Sequence, residues 1–165
     1  MEKTNQSYIL EKDIWTENDF EKMGWHDATI YGFVIEKNHG TFTADLVFDI
    51  DYIFDWIHPV EPEIYFSFWI APCTIVFKEA FDLKIDIEIG FAEFEFEVAD
   101  LHLVNKSKDS EREVYEWNLE LQQGNFFFKS YGFDQIVRKK PIYAKEQILK
   151  IEERGGICFN RQSSL

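Results

Sequence analysis

The sequence predicts a mainly β chain: an antiparallel β-sandwich or barrel of about ten strands with a short N-terminal helix. Three observations carry that expectation. Aromatic residues make up 18% of the chain and phenylalanine alone fills 17 positions, so the interior is built from large flat side chains that suit a pleated surface. Apolar residues recur at every second position through most of the chain, the period at which one strand face is buried and the other is wet. Turn residues punctuate these runs at hairpin spacing, as in Asn38-His39-Gly40 and Gly124-Asn125. At 165 residues, a single β-rich domain over 1–165 is expected, large enough to bury a core without disulfide or metal staples.

The helix comes first. In "WTENDFEKMG" Thr16 suits the N-cap, Asp19 stands three residues on in a capping-box position, and Trp15 and Phe20 have the spacing of a hydrophobic staple. Gly24 then suits a left-handed stop, which gives a helix over 17–23. "TIYGFVIEK" and "TFTADLVFDI" flank the Asn38 turn and read as a hairpin. "EIYFSFWI" and "CTIVF" follow, parted by Ala71-Pro72 at a strand edge or turn. "DLKIDIEIG" alternates cleanly, with Leu83, Ile85, Ile87 and Ile89 opposite Asp82, Lys84, Asp86 and Glu88. The apolar phase then moves to Phe94, Phe96 and Val98, which requires a bulge or tight turn near Gly90-Phe91-Ala92. "DLHLV" reads as a strand, residues 105–113 as an exposed polar loop, and "VYEWNLELQQ" with "FFFKSYG" as a second hairpin. "FDQIVRKKP" and "EQILKIEERGGICF" close the chain, with a turn at Gly155-Gly156. No repeat or low-complexity tract interrupts this pattern.

Charge is the most informative part of the composition, because it is unevenly spread. Residues 1–40 carry 8 acidic and 4 basic groups, residues 41–104 carry 14 and 2, and residues 105–165 carry 9 and 11. The net charge is −14, and its excess lies in the central block. That speaks against nucleic acid as a partner, since phosphate contacts need clustered cations. It points to a localised negative face. The start "MEKTNQSYIL" lacks the cationic and apolar regions of a signal peptide, and no stretch reaches the roughly 18–20 apolar residues of a membrane span. A cytoplasmic protein with no membrane partner is therefore expected. Cys73 and Cys158 lie in apolar runs without metal-type spacing and read as free buried thiols.

The segment "DIDYIFDWIH" (49–58) is the densest in candidate chemistry. Phe42, Ala44, Leu46, Phe48 and Ile50 share one parity and Asp45, Asp49 and Asp51 the other, so these three carboxylates line one strand face. Asp55 and His58 follow in what reads as a loop. Hard cations favour such oxygen clusters, and histidine suits transition metals, which makes Asp49, Asp51, Asp55 and His58, with His26 and Asp27, an alternative metal site or metal-dependent hydrolase centre. The bland reading leaves the aspartates solvated on a polar face. His26 and Asp27 are an acid/base pair by residue type, yet strand neighbours point to opposite faces, and a structural role at a junction anchored by Trp25 explains them equally. No nucleophile elbow, zincin, dinucleotide or Walker motif is present, and "ERGGICF" lacks the following helix of a phosphate cradle. No cofactor is implied, and the sequence points away from an enzyme.

The remaining acids form ladders. Asp82, Asp86 and Glu88 share one strand face, Glu93, Glu95 and Glu97 another, and Glu116 and Glu120 repeat the pattern. If these strands are neighbours, like charges oppose each other, which costs stability. Charged outward faces keep β edges soluble, but the near absence of lysine from the central block favours a docking surface for a basic protein. Its candidate residues are Asp45, Asp49, Asp51, Asp55, Trp56, Asp82, Asp86, Glu88, Glu93, Glu95 and Glu97, with Trp56 as an aromatic anchor.

Taken together, "WHD", "DIDYIFDWI", "APCTIVF", "DLKIDIE", "WNLELQQG" and "ERGGICF" resemble a family of short uncharacterised bacterial proteins, over about residues 23–160. That resemblance implies no catalytic residue. More loosely, a small acidic β-rich chain without enzymatic motifs is similar to immunity proteins of bacterial toxin systems, which implies a non-enzymatic, antitoxin-like protein whose basic partner is a toxin.

Overall fold

The alternating segments form strands that pair antiparallel throughout. The computed structural model describes residues 7–92 and 95–165. Its strands are β1 (Ile14–Thr16), β2 (Thr29–Lys37), β3 (Ala44–Ile57), β4 (Ser67–Phe77), β5 (Phe81–Ile87), β6 (Phe96–Asp109), β7 (Arg112–Leu121), β8 (Gly124–Ser130), β9 (Phe133–Val137) and β10 (Ile142–Ala144). A four-residue helix, α1 (Ile151–Arg154), lies near the end. The spatial order is β1-β9-β4-β3-β2-β6-β7-β8-β5, with β10 paired to β4.

This path does not close into a barrel. It folds over at β2, where only Thr29 and Ile30 pair with Glu97 and Phe96 of β6. The two halves then meet through large rings: Phe48 on β3 and Phe126 on β8 have centroids 5.2 Å apart, and Phe77 on β4 and Phe128 on β8 4.6 Å. Trp117 on β7 stands 5.7 Å from Phe133 on β9. Its indole N–H is satisfied by Ser130 Oγ at 2.9 Å, so the ring is buried without an orphaned donor. The abundance of phenylalanine in the sequence is this interface.

The half containing β3 and β4 is covered on both faces. Leu46, Phe48, Ile50 and Tyr52 turn inward to the central cluster. Val47 and Ile53 turn outward into two smaller clusters, with Val76, Ile136 and Phe159 around the first and Phe68, Ile70 and Leu149 around the second. The cover is the C-terminal stretch after β9. Burial on both faces suits the apolar run of β4, which continues unbroken from Ser67 to Phe77, so Ala71-Pro72 is not a strand edge or turn but lies inside the strand, Pro72 opposite Asp51 of β3.

Several sequence expectations need correction. The N-terminal element is a 3₁₀ helix, Glu17–Lys22, opened by the expected capping box: Thr16 Oγ1 accepts from Asn18 N–H at 3.3 Å and Asp19 Oδ2 from Thr16 N–H at 2.9 Å. Gly24 is not its left-handed stop; its N–H donates to Tyr52 Oη at 3.0 Å. Residues 105–113 are not a loop, because β6 and β7 continue as a two-stranded ribbon to the Asp109–Arg112 pair. β3 runs through Ile57, so Asp55 is a strand residue. Among the described residues, no helix is long and apolar enough to cross a membrane.

Candidate functional site

The parity reading of Asp45, Asp49 and Asp51 holds, but their face is not wet. The C-terminal cover lies on it and inserts arginines. Asp49 and Asp51 have fully buried side chains, as does Arg154, and Arg138 is buried beside them. Arg154 forks onto Asp49, with Nη2 at 2.6 Å from Oδ1 and Nη1 at 2.9 Å from Oδ2, while its Nε donates to Asp51 Oδ1 at 3.0 Å. Arg138 Nη2 reaches Asp49 Oδ1 at 2.6 Å and its Nη1 reaches Thr74 Oγ1 at 2.8 Å. Asp51 Oδ2 also accepts from Tyr31 Oη at 3.0 Å and from Leu149 N–H at 3.2 Å. Two carboxylates thus face two guanidiniums, and the bidentate geometry is what makes a buried pair tolerable.

The "ERGGICF" segment is built for this clasp. Arg154 ends α1, and Gly155 and Gly156 both take left-handed backbone (φ 80 and 79), which reverses the chain over the arginine. Gly156 O accepts from Arg154 Nη1, and Cys158 N–H donates to Asp49 Oδ2 at 2.9 Å. The glycine-rich turn therefore does hold an anion, the chain's own aspartate. The Arg154 guanidinium also lies 3.7 Å from the centre of the Tyr31 ring. Burial pushes the Asp51 carboxyl up from its ordinary range, against the pull of Arg154, the Leu149 N–H and Tyr31. Asp45 is buried too, and burial alone would raise it, but bonds from Glu79 N–H, Asn38 and Arg161 hold its carboxyl below the usual range.

These placements correct two expectations. Asp45, Asp49 and Asp51 are not open to a partner, because other parts of the chain already occupy their oxygens. The alternative metal set does not assemble either. Asp49 and Asp51 are saturated by N–H and O–H donors, and His58 lies at the β3–β4 tip with its ring 4.9 Å from Phe66. Among the described residues, no group of three or more histidine, cysteine, aspartate or glutamate side chains is arranged to hold a metal ion. Cys73 and Cys158 are free, Cys73 buried and Cys158 half-buried.

A second carboxylate group forms where the sheet folds over. Asp27 sits at a left-handed position (φ 61), and its N–H donates to Val98 O at 2.9 Å, which sets its side chain beside Glu97. Burial, and the Asp27 carboxyl beside it, push Glu97 up; Glu95 adds to this and His26 partly offsets it. His26 Nε2 is 3.5 Å from Asp27 Oδ1, and its ring stacks on Trp56 with centroids 6.0 Å apart. The β7–β8 turn draws in further acids: Gln122 N–H bonds Glu97 O, Gln123 Nε2 bonds Glu95 O, and Gln123 O accepts from Glu88 N–H. Alongside runs a groove of about 630 Å³ lined by Ile30, Tyr31, Glu95, Phe96, Glu146 and Ile148 among others.

The ladder expectation also changes. β5 pairs with β8, not with the strand carrying Glu97, so Asp86 faces Asn125 and Lys84 faces Phe127. Glu116 faces Lys129 on β8 and Asn105 on β6, and Glu120 faces Asn125 on β8 but Asp100 on β6, where like charges do oppose each other. Asp82 bridges to Lys129 at 3.1 Å. Asp55 is exposed, Trp56 is half-buried against Phe68, and Glu93 lies outside the described residues. Sequence reasoning missed Arg138, Arg154 and Arg161; the basic surplus after residue 105, complementary to the acidic block, was the available signal.

No family model, curated protein or solved structure matches the chain.

Proposed function

We propose that the protein is a non-enzymatic binding protein of the immunity or antitoxin kind, which docks an acidic face on a cationic partner protein, in that setting a toxin. One observation carries this reading. Many acids of the central block are paired internally: Asp45, Asp49, Asp51, Glu63, Glu79 and Asp82 each meet a cation from the C-terminal block. Among the described residues, Asp86, Glu88, Glu95 and Glu97 make no ion pair with lysine or arginine, and Glu88, Glu95 and Glu97 converge on the β7–β8 turn. Asp27 and the Trp56–His26 stack border them. Uncompensated like charges beside an aromatic surface are what a cationic partner relieves, and they also raise its association rate at low salt.

The test is a capture from the native host at low and high salt, using the wild-type protein beside a variant carrying Asp86→Asn, Glu88→Gln, Glu95→Gln and Glu97→Gln. A basic protein held by the wild type at low salt, released by salt and lost from the variant is the expected result. Retention of the same proteins by both chains removes the acidic face from the account.

A further inference from the structure

The N-terminal segment packs on the central cluster through Leu10, Trp15 and Phe20, where Tyr52 and Phe54 of β3 also turn in. A cavity of about 150 Å³ remains there, lined by Tyr8, Glu11, Trp15, Lys22, Tyr52 and Phe54. Phe54 is its centre. Tyr8, Trp15 and Tyr52 each pack on Phe54, with ring centroids 5.8, 6.2 and 4.8 Å away and planes inclined to it by 47°, 52° and 74°. Among the described residues these three rings make no ring contact with one another; Tyr8 turns its other contact to Trp69 and Tyr52 to Trp25. They stand as separate walls around one floor.

Two of the walls have their polar atoms engaged elsewhere: Trp15 Nε1 donates to Lys12 O at 3.0 Å, and Tyr52 Oη accepts from Gly24 N–H at 3.0 Å. What they offer a guest is ring surface, whose π faces attract positive charge. Carboxylates add to that field. Glu11 lines the cavity, and burial, then Asp55 and Glu11, push the Tyr8 hydroxyl up from its ordinary value, so both acids act on that ring. Lys22 stands at the rim with Nζ 4.0 Å from Glu11 Oε1, the two side chains 68% and 65% exposed. Lys12 lies over Trp15 at 5.0 Å but does not line the cavity, and among the described residues no lysine or arginine lies over Tyr8, Tyr52 or Phe54.

We propose that this cavity is an aromatic cage that binds a trimethylammonium group, with Tyr8, Trp15, Tyr52 and Phe54 as its rings and Glu11 and Asp55 as its counter-charges. A cavity of this volume holds a benzene-sized guest, and a trimethylammonium head is of similar size. The carboxylates repel an anion. A primary ammonium carries three donors that the rings cannot satisfy; methylation removes those donors and spreads the charge over a surface the rings can cover. Lys22 illustrates the difference, since it is drawn to this rim yet pairs with Glu11 in water rather than entering over a ring. The site uses none of Glu88, Glu95 and Glu97 and so stands apart from the acidic docking reading.

Choline is the probe, compared with 3,3-dimethylbutan-1-ol, which has carbon in place of the nitrogen, and with ethanolamine, which keeps the charge without the methyl groups. Binding is followed by the NMR shift of the Trp15 indole N–H in the labelled protein. The expected result is a Trp15 shift that saturates with choline, at an affinity about tenfold or more above that for either control. Nα-acetyl-trimethyl-lysine carries the same head, and the tighter of it and choline says whether the source is a modified lysine or a free small cation. Tyr8→Leu keeps apolar bulk but removes one wall, and weakens choline by about fivefold or more. Lys22→Gln, at an exposed side chain, removes the competing cation from the rim and tightens choline by roughly two- to threefold. Equal affinity for choline and its carbon isostere overturns the proposal. So does a choline response that spares Trp15, or failure of choline to bind both the wild type and Lys22→Gln.

Discussion

Two groups of carboxylates in this protein are treated in opposite ways. Asp49 and Asp51 lie fully inside, where an unpaired charge is prohibitive, and meet two guanidiniums and the backbone N–H groups of Leu149 and Cys158. Asp27 and Glu97 lie nearer the surface, where a charge is less costly, and among the described residues they receive an exposed histidine and the Gln147 amide, 2.8 Å from Asp27 Oδ2, but no lysine or arginine. The first group belongs to the architecture, since it fastens the C-terminal cover to the sheet. The second is left with unbalanced charge. Asp49, Asp51 and Glu97 share one sequence block and still divide by what opposes them: the clasp is complete in itself, and among the described residues Glu97 meets no lysine or arginine.

The largest expected effect comes from breaking the clasp. Arg154→Met leaves Asp49 and Asp51 buried with much of their compensation gone, and truncating one partner of such a network costs about 3–5 kcal/mol. Urea unfolding reads this as a fall in midpoint. Arg154→Lys keeps the charge but loses the fork, so it should recover only part of the loss. A wild-type midpoint for Arg154→Met would show that the cover is not held by this arginine.

A smaller loss is expected at the rim of the clasp. Asp45→Ala strands the Glu79 N–H and releases Arg161, which also holds Glu36 Oε2 at 3.0 Å. Removing a buried charged acceptor of this kind costs about 1–3 kcal/mol. Because the Asp45 carboxyl is held below its unfolded value, its contribution is present above about pH 4 and fades as pH falls through the lowered folded value. The gap between wild type and Asp45→Ala should therefore narrow in acid.

The comparison also shows what the sequence could reveal. Period-two alternation places Asp45, Asp49 and Asp51 on one face correctly, because parity is local. What lies over that face is not local: Arg154 is separated from Asp51 and Asp49 by 103 and 105 positions. The basic surplus of the last block carried the hint, but charge segregation reads the same whether the complement is internal or external. The ribbon over 105–113 was hidden for a related reason. Its residues are polar on both faces, so no alternation marks it as strand, and the β6–β7 ladder alone defines it. Glu95 and Glu97 were legible as acids of one parity, while their convergence with Glu88 depends on the β7–β8 turn.

The acidic corner gives the smallest effect and the opposite sign. Glu97 is raised above its unfolded value, so its contribution to stability is fully present below about pH 4 and is lost as pH rises through the raised folded value. At neutral pH its charge therefore opposes folding. Glu97→Gln removes that charge and should raise stability at pH 7 by no more than about 0.5 kcal/mol, since the group is only half-buried and solvent screens the repulsion. In acid the gain should vanish, because both chains are then neutral at this position. Paired melting curves across pH distinguish the two groups by direction: the Asp45→Ala deficit grows from acid to neutral pH, and the Glu97→Gln advantage grows over the same interval. If Glu97→Gln instead loses stability at neutral pH, Glu97 has a compensating partner within the fold, and the corner is a second clasp.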